Sequence, residues 1–176
     1  MKRSKLTEGD ASVLRCRAEA LARPLTLDRD QVVLSFVVVR LGAERIGLPI
    51  ESLWGAFYNV KLTPVPQAPR WLAGLAQVRG ELISVAQLGH WFDAPYVAES
   101  GALAVLEGPR GLLGVLVDEV LGFVDFRQDQ LSHELAATLG STGRPIAAVS
   151  SDLVSILDAK RFLEDPRLIV DDRAEV

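Results

Sequence analysis

Cysteine is nearly absent from this 176-residue chain. Only Cys16 is present, so no disulfide can form within the chain, and a reducing, cytoplasmic setting is the expectation. Histidine is almost as scarce, with His90 and His133 far apart in sequence. A metal centre needs clustered His, Cys, Asp or Glu at ligand spacing, so none is expected. The adjacent carboxylates Asp118-Glu119 and Asp171-Asp172 do not supply one, because neighbours along a strand point to opposite faces. Also missing is any window of about 18 uncharged apolar residues, the length a spanning helix requires. The opening MKRSKLTEGD has basic residues but no apolar run behind them, so neither a secretion signal nor membrane insertion is expected. Nor is there an excess of positive charge. Nineteen Lys and Arg against 23 Asp and Glu give a net charge of -4, which argues against a nucleic-acid partner. No Gly-rich phosphate loop, G-x-S-x-G elbow or βαβ rhythm appears, and no cofactor is expected.

What the chain does contain is aliphatic core. It is 49% hydrophobic and only 6% aromatic, with 24% charged residues. Mean hydropathy is +0.22. Such a composition fills a globular interior with Val, Leu, Ile and Ala. The length suits one domain or two small lobes sharing a core.

The order of elements reads as follows. Asp10 caps an amphipathic helix that Pro24 stops, with Leu14, Ala18, Leu21 and Ala22 on one face. This makes residues 1–30 an N-terminal helical extension. Residues 32–41, VVLSFVVVRL, are apolar at nearly every position, the mark of a strand buried on both faces or of a barrel wall. Gly42-Ala43-Glu44 turns the chain into a second strand, 45–48. Pro49 opens a short helix over 50–54, ended by Gly55, and 56–60 follows as a strand. After a proline loop (Pro64, Pro66, Pro69) come strands at 72–78 and 82–85, joined at Arg79-Gly80, and a helical turn at 88–92. Polar residues 93–101 suggest a junction between lobes. Strands at 102–106 and 112–117 flank Gly108-Pro109-Arg110-Gly111, the clearest hairpin in the chain. A strand over 120–126, a weakly helical stretch 127–143, strands at 146–149 and 153–157 and a helix over 158–163 complete the body. An acidic tail, 166–176, closes the chain. Residues 81–92 and 152–163 echo each other: turn, apolar strand, then a one-turn helix. Many short strands with helices only at the edges predict a mainly β fold, barrel or sandwich.

Few residues carry chemistry on their own. Ser84 lies in an apolar strand six residues before His90, without an elbow motif. Asp118 ends an apolar strand, where a carboxylate serves as a base, caps a turn or pairs with an arginine across the sheet. Arg79 is the most pointed cation. Three readings are open for it: an exposed turn residue, a structural ion pair, or a planar donor fork offered to acidic side chains of a partner. Trp54, Phe57, Tyr58, Trp71, Trp91 and Phe92 gather most of the aromatics in the first half. They fit core or a groove for an apolar partner helix.

Taken in order, these segments resemble the CheW family of bacterial chemotaxis adaptors. Its first hairpin resembles residues 36–41, 42–44 and Ile46-Gly47-Leu48. Its proline loop resembles Val65 through Gly74, and its N-L-R-G turn resembles Gln77-Val78-Arg79-Gly80, followed by the run 82–88. Its G-x-x-V-D-x-V segment resembles Gly114 to Val120, and its closing strand and helix resemble 153–163. The likeness covers about residues 31–165. The helix near 14–23 is similar to one that some members carry ahead of the barrels.

The resemblance implies two small five-stranded SH3-like barrels packed together, with an N-terminal helix and short edge helices. It implies no catalytic activity. It implies an adaptor that couples a CheA-type histidine kinase to the cytoplasmic tip of methyl-accepting chemoreceptors, and that joins other CheW-like domains in rings. A second implied reading is an adaptor of a non-flagellar chemosensory system, serving pilus motility or gene regulation, with altered partners. Partner contacts are implied at Gln77, Val78, Arg79 and Gly80, at Gly74, at Leu53, and at Val120 and Phe123. The chain departs from the family pattern at Gln77 (for Asn), Ser84 (for Pro), Gln87 (for Asp) and Gly55-Ala56 (for Glu and an aliphatic residue).

Overall fold

A computed structural model describes residues 32–92, 101–140 and 143–169. The helix expected over 10–23, most of the loop 93–101 and the tail beyond 169 lie outside the described residues.

The apolar run of the first strand, β1 (Val33–Leu41), follows from its position between two interiors. Alternate side chains leave a strand on opposite faces. Val37, Val39 and Leu41 enter a central cluster, while Phe36 and Val38 enter a second one with Phe126, Leu131, Ala148, Val154 and Ile156. β2 (Glu44–Pro49) returns antiparallel, and a single 3-10 turn, Ile50–Ser52, carries the chain to β3 (Leu53–Phe57). The short helix expected over 50–54 is thus only this turn. Trp54 and Gly55, expected in and just after a helix, lie in a strand. Pairing of β3 with β7 outweighs the helix-opening signal of Pro49.

β4 (Leu62–Thr63) is a two-residue strand within the proline loop. β5 (Leu72–Val78) and β6 (Glu81–Gln87) form a hairpin, and β6 runs into the short helix α1 (Gly89–Phe92). β7 (Ala102–Gly108) and β8 (Gly111–Val117) form the hairpin predicted around Pro109. β9 (Glu119–Arg127) follows, then the 3-10 turn Gln128–Gln130 and the two-residue strand β10 (Leu131–Ser132). The stretch 127–143, predicted only weakly helical, holds the helix α2 (His133–Gly140). β11 (Ile146–Ser150), β12 (Ser155–Leu157), α3 (Ala159–Leu163) and the 3-10 turn Pro166–Leu168 complete the described chain.

The strands form two six-stranded sheets, ordered β10-β11-β12-β2-β1-β9 and β3-β7-β8-β6-β5-β4. Each has five strands of three or more residues and one of two residues. The second sheet curls on itself. Its interior cluster joins Ala76, Val78, Ile83, Val85, Leu103 and Val105 to Trp54, Phe57, Val60 and Leu62, residues from both ends of the strand order. The chain leaves the first sheet at Ile50–Ser52 and returns to it across Asp118, while the strands flanking 93–101 share the second sheet.

The central cluster lies between the two sheets. It takes Val37, Val39, Leu41, Ile46 and Leu48 from one, and Ala86, Ala104, Leu106, Val115 and Val117 from the other. The internal echo is structural. β6 pairs in parallel with β8, β12 pairs in parallel with β2, and each leads into a short helix. Trp91 of α1 and Phe162 of α3 occupy matching places in the echo and meet edge to face, ring centroids 5.1 Å apart.

Candidate functional site

The β5–β6 register pairs Val78 with Glu81, which leaves Arg79-Gly80 as a two-residue loop. Both have positive φ, 52° at Arg79 and 91° at Gly80, the geometry that matches the twist of a tight hairpin. A Cβ on Gly80 would meet nothing within 4 Å, so glycine serves the backbone angle here and not packing. Arg79 holds this left-handed conformation against a cost of about 1 kcal/mol or more.

A local contact offsets that cost. The Arg79 guanidinium carbon lies 5.0 Å from the Trp54 ring centre and 5.1 Å from that of Phe57. Strict alternation would send Trp54 and Phe57, three residues apart, to opposite faces of β3. A bulge between Leu53 and Gly55 shifts the register and brings their rings within 5.8 Å of each other. Leu53 keeps the other direction and packs against the central cluster. A Cβ on Gly55 would come within 3.0 Å of the Phe57 ring. Of the three readings open for Arg79, the ion pair is not realised among the described residues. The cation is exposed, and aromatic rings back it.

The other sequence-predicted positions are not all on the surface. Gln77 is exposed beside Arg79, but Val78 is 4% exposed and packs inside the second barrel. Gly74 is buried at φ 145°, and a Cβ there would stand 2.4 Å from the Thr63 carbonyl oxygen. Val78 and Gly74 therefore shape the hairpin from beneath. Val120 is half-buried against the central cluster, as Leu53 is. Phe123 is 77% exposed on β9, with Leu121 and Val124 also exposed nearby. Positive φ at Gly122 and a register break opposite Val38-Val39 put this apolar patch on a bulged strand. The structure thus groups Gln77, Arg79 and Gly80 with Trp54 and Phe57, and sets Phe123 on the other sheet. Trp54 and Phe57 were legible only as aromatics of unsettled role. Their spacing points them apart, and only the bulge unites them.

Of the remaining polar candidates, Asp118, His133 and His90 have structural neighbours, and Ser84 is exposed. An Asp118 oxygen accepts from the Gly42 backbone N–H at 2.6 Å and lies 3.5 Å from Arg40, which also reaches Glu119 at 3.3 Å. Of the options for Asp118, the turn cap and the cross-sheet arginine pair are both present. The His133 ring Nδ1 bonds the Ala147 carbonyl at 2.9 Å, and the His90 ring lies edge-on to Trp91 at 5.5 Å. Ser84 faces a groove of about 400 Å³ with Trp71, Leu113, Arg110 and Leu163. No group of three or more His, Cys, Asp and Glu able to hold a metal occurs among the described residues. No helix among them is long and apolar enough to cross a membrane.

One ionisable cluster straps down the chain after α3. The buried Trp91 donates its indole N–H to Asp165 at 2.9 Å, and Arg167 donates to the same carboxylate at 2.6 Å while lying 5.3 Å from the Trp91 ring. Burial alone would raise the Asp165 carboxyl. Hydrogen bonds from Arg167 and Trp91, with the charge of Arg167, outweigh burial and hold its pKa at about 2, below the ordinary 3.8.

Two sheets around a shared core, with a proline loop leading into an arginine-tipped hairpin, match a known architecture. Residues 35–167 fit the family model of the CheW-like domain. The chain belongs to the CheW-like family. Among its relatives, protein PilI of Pseudomonas aeruginosa is 26% identical over 123 residues, 69% of this chain and 68% of that protein. Chemotaxis protein CheW of Thermotoga maritima is 21% identical over 135 residues, 76% of this chain and 87% of that one. Protein FrzA of Myxococcus xanthus is 25% identical over 141 residues, 75% of this chain and 86% of that one. The crystal structure of the scaffolding protein TtCheW from Thermoanaerobacter tengcongensis superposes with a TM-score of 0.63 at 19% identity, covering 76% of this chain and 94% of that one. The fold is therefore the mainly β, two-barrel fold expected of a CheW-like domain.

Proposed function

We propose that this chain is a non-catalytic adaptor that couples a CheA-type histidine kinase to the cytoplasmic tip of methyl-accepting chemoreceptors, working in the cytoplasm within a chemosensory array. The observation that carries this reading is the family match over residues 35–167, which takes in both sheets and the core between them. An adaptor needs exposed, rigidly mounted contact groups. The hairpin tip at Gln77, Arg79 and Gly80 is exposed, and so is Phe123 on β9. Leu53 and Val120 border the central cluster, where a partner helix would find apolar surface beside them. Other CheW-like domains, joined in rings, are further proposed partners.

A second reading keeps the adaptor role but changes the pathway, to one serving pilus motility or gene regulation. Gln77 and Gly55 favour it, because these departures from the family pattern lie beside Arg79 and its aromatic neighbour Phe57, while Ser84 and Gln87 depart further along β6.

Binding of the purified chain to the CheA-type kinase and receptor fragments encoded in the same genome tests both readings. Binding to one kinase–receptor set at tens of micromolar or tighter is the expected result, and the set that binds identifies the pathway. Arg79→Glu weakens that binding while leaving the melting temperature unchanged. Absence of binding to every kinase and receptor offered rejects the adaptor assignment.

A further inference from the structure

The Arg79 cation is mounted on this chain's own aromatic residues. Its guanidinium stands 5.0 and 5.1 Å from the rings of Trp54 and Phe57, which lean together at 5.8 Å with an interplanar angle of 37°. Both rings pack against the interior of the second barrel, so the platform is anchored in core. Arg79 is exposed and has no carboxylate partner among the described residues. Gly55, between the two aromatics, supplies clearance, since any side chain there begins within 3.0 Å of Phe57. The family pattern sketched from the sequence has a glutamate at this place. Here Gly55 stands at that place, with the Phe57 ring beside it.

From this arrangement, which rests on the adaptor reading for the existence of a partner, we propose that Trp54 and Phe57 are positioning residues for Arg79, and that the surface they form takes a carboxylate of the partner. Aromatic faces hold a guanidinium without consuming its N–H donors. The planar fork therefore stays available for a bidentate hydrogen-bonded pair with an aspartate or glutamate brought by the partner. The cation is held in place by the rings, and its N–H donors, solvated in the free protein, are open to the partner's carboxylate. The positive φ of Arg79 sets the side chain's exit from the hairpin, and the rings set where it ends.

The test has two arms. In the free protein, side-chain NMR reads the Arg79 δ-methylene protons and Nε–H. Wild type shows ring-current shifts, and Trp54→Leu with Phe57→Leu returns these signals toward the values of an exposed arginine. An unshifted Arg79 in wild type overturns the positioning role, whether or not any partner binds. In the second arm, affinity for the CheA-type kinase and receptor fragments is measured against salt. The leucine variants keep the charge but lose its placement, so affinity falls about two- to fivefold while its salt dependence stays that of wild type. Arg79→Gln loses affinity together with part of the salt dependence. Wild-type affinity or wild-type salt dependence in Arg79→Gln, or losses in the leucine variants that only follow a fall in melting temperature, would overturn the carboxylate assignment. If no kinase or receptor fragment binds wild type, the adaptor reading fails while the NMR arm still decides the platform.

Discussion

Asp165 shows how one residue sets a pH dependence. Its side chain is 14% exposed and receives donors from Trp91, the Arg167 backbone and the Arg167 guanidinium. The folded pKa of about 2 lies below the ordinary 3.8, so the unfolded chain binds the proton more readily. The ionised carboxylate therefore stabilises the fold above about pH 4, and that contribution is lost as pH falls through about 2. It is on the order of 2 kcal/mol. Urea unfolding of wild type and Asp165→Asn across this range checks the sign. The gap between the two is expected to be full at neutral pH and to close on acidification. A gap that is constant with pH would mean that the ionised form carries no special stabilisation. None of this was visible in sequence, because Trp91 and Asp165 are far apart in the chain.

At the scale of the element, the β5–β6 hairpin separates shape from contact. Gly74, Val78 and Gly80 give the strands and turn their geometry, and Gln77 and Arg79 remain on the surface. Asparagine tolerates positive φ better than arginine but cannot reach a partner as a cation. Arg79→Asn is therefore expected to leave unfolding free energy within about 0.5 kcal/mol of wild type while lowering affinity for the kinase or receptor fragments. Chemical denaturation and calorimetric titration on the same samples check it. Matched losses in both would make Arg79 a structural residue. The hairpin was legible in sequence because its signals are local: apolar runs on either side of a glycine-bearing turn. β3 was not, because its identity comes from pairing with β7 and its bulge from that register. β4 and β10 have two residues each and exist only through their partner strands.

Within residues 32–169, besides an interior cluster in each sheet, a central cluster takes contributions from both. Trp71, Trp91 and Phe162 stand within it, Trp71 and Trp91 with ring centroids 6.2 Å apart. The faces that meet in this central cluster cannot be buried by either sheet alone. Unfolding is therefore expected as a single transition, coincident by tryptophan fluorescence and far-UV circular dichroism. Phe162→Ala removes a fully buried ring from the junction and is expected to cost about 3–5 kcal/mol without splitting that transition. Two separated transitions would show instead that the barrels fold independently.

By itself, the sequence determined what depends on neighbours along the chain. The strand character of β1, the β7–β8 hairpin, the Arg79-Gly80 turn and the ordered motifs of a CheW-like domain all lie within short windows. In such windows, side-chain period and turn chemistry decide the outcome. Tertiary structure alone decided which strands pair in parallel, where the chain changes sheets, that Val78 and Gly74 lie beneath the surface, and that Trp54 and Phe57 carry Arg79. Each of these depends on residues brought together from distant parts of the chain, and on a bulge that reverses the direction local alternation predicts for Phe57.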